Sequence, residues 1–500
     1  MRRYKLEFIV FVCGAAVMIL EMVGSRIVAP YLGTSLIVWT GIIGVILASL
    51  SIGYAWGGKL ADKNPTFTRL SQIIILSAFS VLVLATIQLL VLVFFSNSTL
   101  SLYWQTIFVT IILFAPSSIL LGMISPYAVR LKMKDVATSG ALVGNLYAIS
   151  TVGSIVGTFL AGFVLMAFFN HIKILLFIGI ALVLVSFLSD YRSWRWVKLF
   201  AVIMFFSAFA FDGVFVHYSA LLGLRDINTS YNRVLVQDIV NQISNRPVRL
   251  LKTDKGGFQS AIYLDSTPAE LVAEYNKYYD LAKYFNPNLN TVLTIGGAAY
   301  NYPRHFLEKF PSASMDVVEI DPGMTKIAQQ YFSLKPDDRL NVFHEDGRVY
   351  LNKNKKSYDA IFVDAFSSWY AVPHHLTTLE SARAMYRSMS DGGVVTMNLI
   401  SAIDGDGGKF FRAEYRTLKV VFPQVYVFRV YDTVAADQVQ NIILLATKSD
   451  RQMDFKSDDV EMRRLLSNLY TKNISEDVPV LTDNYAPVES YLAKLAMTKI

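Results

Sequence analysis

Four apolar, β-like runs in the second half of the chain each stop at residues able to do chemistry. Gly296 and Gly297 follow TVLTI, Glu319 follows MDVV, Asp346 and Gly347 follow LNVFHE, and Asp364 follows YDAIFV. Adjacent glycines let the backbone turn closely against a ligand. Glu319 lies 22 residues beyond Gly297, a spacing that suits a carboxylate gripping two ribose hydroxyls in a nucleoside-binding α/β fold. Asp346 and Gly347 stand where an adenine edge would be read, and Asp364 stands nearest the chemistry. Singly, such residues also make turns and caps; four in succession point to a site. The loop reads IGGAAY, not G-x-G-x-x-G, so the glycines that cradle a dinucleotide diphosphate are absent.

The elements that must position these residues are legible from 218 onward. Short β-like runs come first (231–238, 247–254, 258–265), then a helical stretch over 269–285. Strands at 291–297, 315–321, 340–346, 358–366 and 392–400 alternate with helices near 304–310, 323–332, 377–390 and 410–421. Runs at 425–432 and 441–448 read as a closing antiparallel pair. Such alternation predicts a parallel sheet covered by helices, with ligands beyond the carboxyl ends of its strands.

The first half has another character. Of 500 residues, 53% are hydrophobic and 17% charged, which excludes a disordered chain and argues against an ordinary soluble enzyme. Apolar runs near 7–30, 36–57, 71–95, 104–126, 141–169, 172–189 and 197–216 have spanning length. The first carries Glu21 and Arg26 and leads into further spans, unlike a cleavable signal. Lys and Arg cluster before the first run and after the second, fourth and sixth, up to Lys134 and Lys198, which predicts a cytoplasmic N-terminus. GALVG (140–144) and GSIVG (153–157) have small-xxx-small spacing. Residues 1–217 hold 14 Lys/Arg and 6 Asp/Glu, the remainder 32 and 33. The basic excess therefore sits in the apolar half, which makes a lipid bilayer the expected partner and a nucleic acid not. Cys13 alone and six scattered histidines offer no metal-ligand spacing. Three regions follow: 1–217, a membrane domain of about seven helices; 218–286, a small β region with a linking helix; and 287–500, a Rossmann-like nucleoside-binding domain.

On TIGGAAY (294–300), VEIDP (318–322), HEDGRVYL (344–351), FVDAF (362–366) and VPHHLTT (372–378) the chain resembles the spermidine synthase family of aminopropyltransferases. With EMVGSRIVAPYLG (21–33), GGKLADK (57–63) and LTDNYAPVE (481–489) it looks like the branch fused to a multi-pass membrane domain. The resemblance implies a small β domain and a seven-stranded methyltransferase-type sheet. It implies decarboxylated S-adenosylmethionine as donor substrate, no bound cofactor, and a diamine such as putrescine as acceptor. Glu319 would hold the ribose, Asp346 the adenine, and Gly296–Gly297 would approach the thioether side. Asp364 would be the general base, and Gln259, Tyr278 and Tyr279 would line the acceptor pocket.

The chain departs from the soluble synthases where amines are held. Ala299 and Ser367 replace acidic residues, Tyr279 replaces a histidine, and Asp280 replaces a glutamate, leaving Asp280, Asp483 or Glu489 to compensate. Alternatives are another S-adenosyl-dependent transferase, for instance a methyltransferase acting near the membrane, or a transporter or sensor that binds without turnover. Self-association is left open. An odd count of spans puts the second half outside, whereas the donor is expected inside. The last span is the weakest, its apolar core running from Leu199 to Phe211 before Asp212; lying at the interface or re-entering, it would keep that half cytoplasmic, and this is the expectation taken forward.

Overall fold

The computed structural model describes residues 4–133, 139–254, 257–267, 269–366 and 372–495, so Lys134 and Ser367 lie outside the described residues. The chain divides into two compact units, Met1–Val234 and Leu235–Ile500.

The first unit holds seven helices long and apolar enough to cross a membrane: Lys5–Leu32, Leu36–Lys63, Phe67–Ser96, Leu102–Lys132, Gly140–Phe168, His171–Ser189 and Arg195–Leu221. They are apolar on most faces, the composition of helices solvated by lipid or by one another. Small residues decide which helices meet. A Cβ on Gly153 would lie 2.1 Å from the Phe11 carbonyl oxygen, and one on Gly157 would lie 2.5 Å from that of Ala15. The first and fifth helices therefore touch backbone to backbone through GSIVG. Gly53 and Gly57 do the same for the second helix against Ile119 and Met123 of the fourth. GALVG plays no such part, since nothing lies within 4 Å of a Cβ on Gly140 or Gly144. The Ser71 hydroxyl donates to the Ser186 carbonyl at 2.8 Å, a polar tie between the third and sixth helices. Arg26 donates to the carbonyls of Thr229 and Ser230 at 3.1 and 2.6 Å.

The seventh helix is longer than the apolar core read from Leu199 to Phe211. It runs unbroken through Asp212 to Leu221. Asp212 does not end it because its carboxylate is buried within the unit and accepts from Asn170 at 3.3 Å. Two short strands follow in chain order, β1 (Leu224–Asn228) and β2 (Arg233–Val240).

In the second unit β2 pairs antiparallel with β3 (Pro247–Lys252), and β3 with β4 (Ser260–Tyr263). The helix expected over 269–285 is interrupted. Glu274–Lys277 and Leu281–Phe285 are helical, and Tyr278–Asp280 forms a tight 3-10 turn between them. The main sheet follows: β5 (Thr291–Ile295), β6 (Ser314–Val318), β7 (Leu340–Phe343), β8 (Tyr358–Val363), β9 (Met389–Ser401), β10 (Gln424–Arg429) and β11 (Gln440–Thr447). Their order is β10-β11-β9-β8-β5-β6-β7. The first five in chain order run parallel; β11 is antiparallel to β9, and β10 to β11. Alternation along the strands fills two cores. Leu293, Ile361 and Met397 face one layer of helices, while Val292, Phe362 and Ile443 face the other. The β10–β11 pair does not close the chain, because helices Val460–Ser467 and Val488–Leu495 come after it.

The chain leaves β5 toward β6 and β7, then returns to place β8 on the other side of β5. The order therefore reverses between β5 and β8, where ligands bind in open α/β sheets.

Gly157→Leu is expected to lower the melting temperature of the detergent-solubilised protein markedly, because its Cβ has no room against Ala15. Gly144→Leu should be nearly neutral. Differential scanning fluorimetry compares them, and equal melting temperatures would refute the packing role.

Candidate active site

At the switch point the glycine loop and Asp364 are built against each other. Gly296 has φ +95°, and a Cβ there would lie 2.6 Å from the Asp364 carbonyl oxygen. Only glycine satisfies both the backbone conformation and the contact. Hydrogen bonds close the joint on either side. The Asp364 N–H donates to the Ile295 carbonyl at 2.9 Å, and the Gly296 N–H to the Val318 carbonyl at 2.9 Å.

Glu319 faces the same loop. Its Oε2 accepts from the Gly297 and Ala298 N–H groups at 2.8 and 3.0 Å, and its Oε1 from the Asp321 N–H at 2.9 Å. Burial raises its pKa above the usual carboxylate value, against the pull of these three donors. A carboxylate has about four lone-pair sites. With three taken, Glu319 has one acceptor site free for a ribose hydroxyl, not the two expected from its spacing, unless a backbone N–H lets go.

Asp346 is also engaged. Its Oδ1 caps the helix Gly347–Lys353 through the N–H groups of Arg348 and Val349 at 2.9 and 3.0 Å. Its Oδ2 lies 3.0 Å from His375 Nε2. Gly347 is needed for packing, since a Cβ would meet the Ile295 side chain at 2.6 Å.

Asp364 differs from both. The groups that hydrogen-bond its carboxylate are neutral side chains. Tyr275 donates at 3.3 Å and Asn398 at 3.5 Å, with Tyr279 and Asn276 alongside. Burial outweighs these donors and pushes the Asp364 pKa up to about 6. Burial, and after it the charge of Asp364, holds the Tyr275 and Tyr279 hydroxyls well above their ordinary pKa. Tyr275 and Asn398 also line a cleft of about 1060 Å³, rimmed by Glu274, Lys277, Asp432 and Arg464. A poised, desolvated carboxylate beside a cleft can take a proton from a nucleophile.

The expected acceptor residues are not all brought together. Tyr279 packs on Tyr302 and Phe362 and turns toward Asp364. Tyr278 points away. Its hydroxyl donates to the carbonyls of Arg429 and Val430 at 3.2 Å and accepts from Asn468 at 2.6 Å. Gln259 braces its own hairpin by accepting from the Thr253 N–H at 2.8 Å. That hairpin reaches the glycine loop through Ser260, whose hydroxyl accepts from the Ala299 N–H at 3.2 Å.

Two suggested compensating carboxylates are already neutralised. Burial would raise the Asp280 pKa, but hydrogen bonds and charge from His305 and Lys309 hold it down, with Lys309 Nζ at 2.6 Å. Asp483 pairs with Arg348 at 2.9 Å. Sequence reasoning passed over Tyr275, Asn276 and Asn398. Asn398 left a signal, as a polar residue inside the apolar run VVTMNLI; Tyr275 and Asn276 look like ordinary helix residues. Among the described residues no group of three or more His, Cys, Asp or Glu could hold a metal ion.

Residues 275–453 match the family model of the spermine/spermidine synthase domain. A polyamine aminopropyltransferase of Vibrio vulnificus (strain CMCP6) is 32% identical over 202 residues, 39% of this chain and 65% of that protein. One from Streptococcus uberis (strain ATCC BAA-854 / 0140J) is 27% identical over 194 residues, 38% of this chain and 67% of that protein. The chain thus spans slightly less than two thirds of the Vibrio relative's length. A solved structure, a probable spermidine synthase from Corynebacterium glutamicum ATCC 13032, aligns at 22% identity and a TM-score of 0.40, over 53% of this chain and 90% of that one. The C-terminal part of the chain carries a spermine/spermidine synthase domain.

Asp364→Asn is expected to stabilise the fold at neutral pH. The folded-state pKa is raised to about 6 from the ordinary 3.8, so the folded state resists ionising this group. The resulting destabilisation is absent below pH about 4 and complete above about 6. The melting temperature of the variant should exceed that of the parent at pH 7.5 and match it near pH 4. A loss of stability at pH 7.5 would mark Asp364 as a structural cap instead.

Proposed function

We propose that this spermine/spermidine synthase domain transfers an aminopropyl group from decarboxylated S-adenosylmethionine to an amine. The observation that carries the reading is Asp364: a carboxylate with neutral hydrogen-bond donors, locked to the glycine loop at the switch point, whose partners Tyr275 and Asn398 line the cleft. A protonated amine has no lone pair with which to attack. Asp364 takes the proton, and the freed nitrogen forms a bond to the aminopropyl carbon. The carbon–sulfur bond breaks with its electron pair going to sulfur, which turns the sulfonium into a neutral thioether. The sulfonium is already a good leaving group, so holding the two reactants in line supplies much of the rate. Glu319 holds the ribose with its remaining acceptor site, and Asp346 marks the adenine end.

A second reading is favoured by one observation. Among the described residues, Ala299 carries no charge at the glycine loop, and two carboxylates that could have compensated are already paired, Asp280 with Lys309 and Asp483 with Arg348. A diamine whose far ammonium needs a counter-charge would be poorly held, which fits transfer of a smaller alkyl group from S-adenosylmethionine itself.

The seven long helices of the first unit are read as crossing the bilayer, with the N-terminus cytoplasmic. An unbroken seventh helix makes the count odd, and the second unit then emerges on the far side.

Mass spectrometry of products from the purified full chain, given each donor with a panel of amines, decides between the readings. A mass increase of one aminopropyl group is expected, and methyl transfer alone would sink the first reading. Turnover should rise through pH about 6 as Asp364 ionises. Asp364→Asn should slow it by about 10²–10⁴ with donor still bound. Glu319→Gln should weaken donor binding and loosen the glycine loop together, because an amide nitrogen cannot accept from the N–H groups it would face.

Sidedness has its own measurement. With Lys456, which is exposed, replaced by cysteine, an impermeant maleimide should modify intact cells. Protection would mean that one helix does not cross.

A further inference from the structure

The first unit contains a cavity of about 340 Å³, within the ~300–1,000 Å³ range of small-molecule sites. The transferase reading makes no use of it. Side chains of the first, third, sixth and seventh helices line it, together with Asp226 and Arg233. Most of the wall is apolar, including Leu82, Leu89, Leu176, Phe211 and Phe215.

Three polar side chains break that wall, and all are deeply buried: Gln88 and His171 are 4% exposed and Asp212 is 3% exposed. Each has one atom without a hydrogen-bond partner, namely Gln88 Oε1, His171 Nδ1 and Asp212 Oδ1. Buried polar atoms are rarely left so, and three around one space call for a common ligand. The other polar atoms of Gln88 and Asp212 are held in place. Gln88 Nε2 donates to the Ala85 carbonyl at 3.2 Å, and Asn170 donates to Asp212 Oδ2 at 3.3 Å. Arg233 does not serve Asp212, because its guanidinium is forked onto Asp226 at 3.0 and 2.6 Å. Among the described residues no cation pairs with Asp212.

The chemistry of the occupant follows from these atoms. A carboxylate oxygen and an amide oxygen both require a donor, and the imidazole Nδ1 accepts when the ring is protonated at Nε2. The uncompensated charge is negative. An anion is therefore excluded, and a bare ion would leave most of the apolar space unfilled. We propose that this cavity binds a primary alkylammonium ion. Its three N–H donors go to Asp212 Oδ1, Gln88 Oε1 and His171 Nδ1, and its hydrocarbon chain lies along the leucine and phenylalanine wall.

The proposal stands apart from the transfer reaction, and its test reads no turnover. The full chain in detergent is photolabelled with a diazirine derivative of n-butylamine, and the adducts are mapped by peptide mass spectrometry. Adducts are expected on peptides carrying Leu89 or Phe215, competed by n-butylammonium but not by n-butanol, butyrate or sodium chloride. Asp212→Asn should weaken competition about tenfold or more, as loss of a charge-assisted hydrogen bond predicts. Gln88→Leu should weaken it less. Asp364→Asn should leave these adducts unchanged, which separates the cavity from the transferase site. Labelling that is indifferent to Asp212→Asn and Gln88→Leu, or that sodium displaces as well as butylammonium does, overturns the proposal. If Asp212→Asn does not fold, Gln88→Leu and His171→Phe carry the same comparison.

Discussion

The contact between Gly296 and the backbone of Asp364 is the constraint on which the second unit depends. It exists only because residue 296 has no Cβ and can take φ +95°. Through it the loop after β5 lies on the residue that ends β8, while Gly296 reaches back to Val318 at the end of β6. Three strand ends are thereby tied together at the point where the sheet order reverses. The glycine loop and the Asp364 carboxylate are thereby held in one fixed relation. Reaction in line between two substrates needs that fixed relation more than it needs any single strong contact.

Around this joint the carboxylates have different fates, and their neighbours decide which. Asp280 has Lys309 and His305, and Asp483 has Arg348, so their charge is already spent on structure. Glu319 spends most of its lone pairs on backbone N–H groups and shapes the glycine loop. Asp364 accepts from the Tyr275 hydroxyl and the Asn398 amide, which hydrogen-bond without neutralising. Desolvation without a counter-ion keeps its proton affinity near the physiological range, the condition a general base requires.

The first unit obeys the same rule in a different solvent. Its helices satisfy their own backbones, and glycines at positions such as Gly53, Gly153 and Gly157 let main chains approach closely. Polar side chains are few, and most are answered, as Ser71 is by Ser186. Of those left unanswered, Gln88, His171 and Asp212 come from three different helices and line one cavity. Asp212 illustrates the balance: a charge inside an apolar helix is kept because Asn170, the cap of the neighbouring helix, reaches it.

By itself the sequence determined the seven apolar helices, the alternation of strands and helices, and the glycine and acidic residues at four strand ends. Each of these is written in local composition and period: uninterrupted apolar length for a span, runs of branched residues closed by Gly or Asp for a strand. What required pairs distant along the chain was decided only by tertiary structure. Spacing placed Glu319 near a ribose, but only the fold shows that Gly297, Ala298 and Asp321 already occupy most of its acceptor capacity. Adjacent tyrosines look alike in sequence, yet the turn at Tyr278–Asp280 sends Tyr279 toward Asp364 and Tyr278 toward β10. GALVG and GSIVG share one spacing, and only helix packing shows which of them is a contact. Asp212 reads as a weak point in the last span, because hydropathy counts its charge and is blind to the asparagine, 42 residues earlier, that accommodates it.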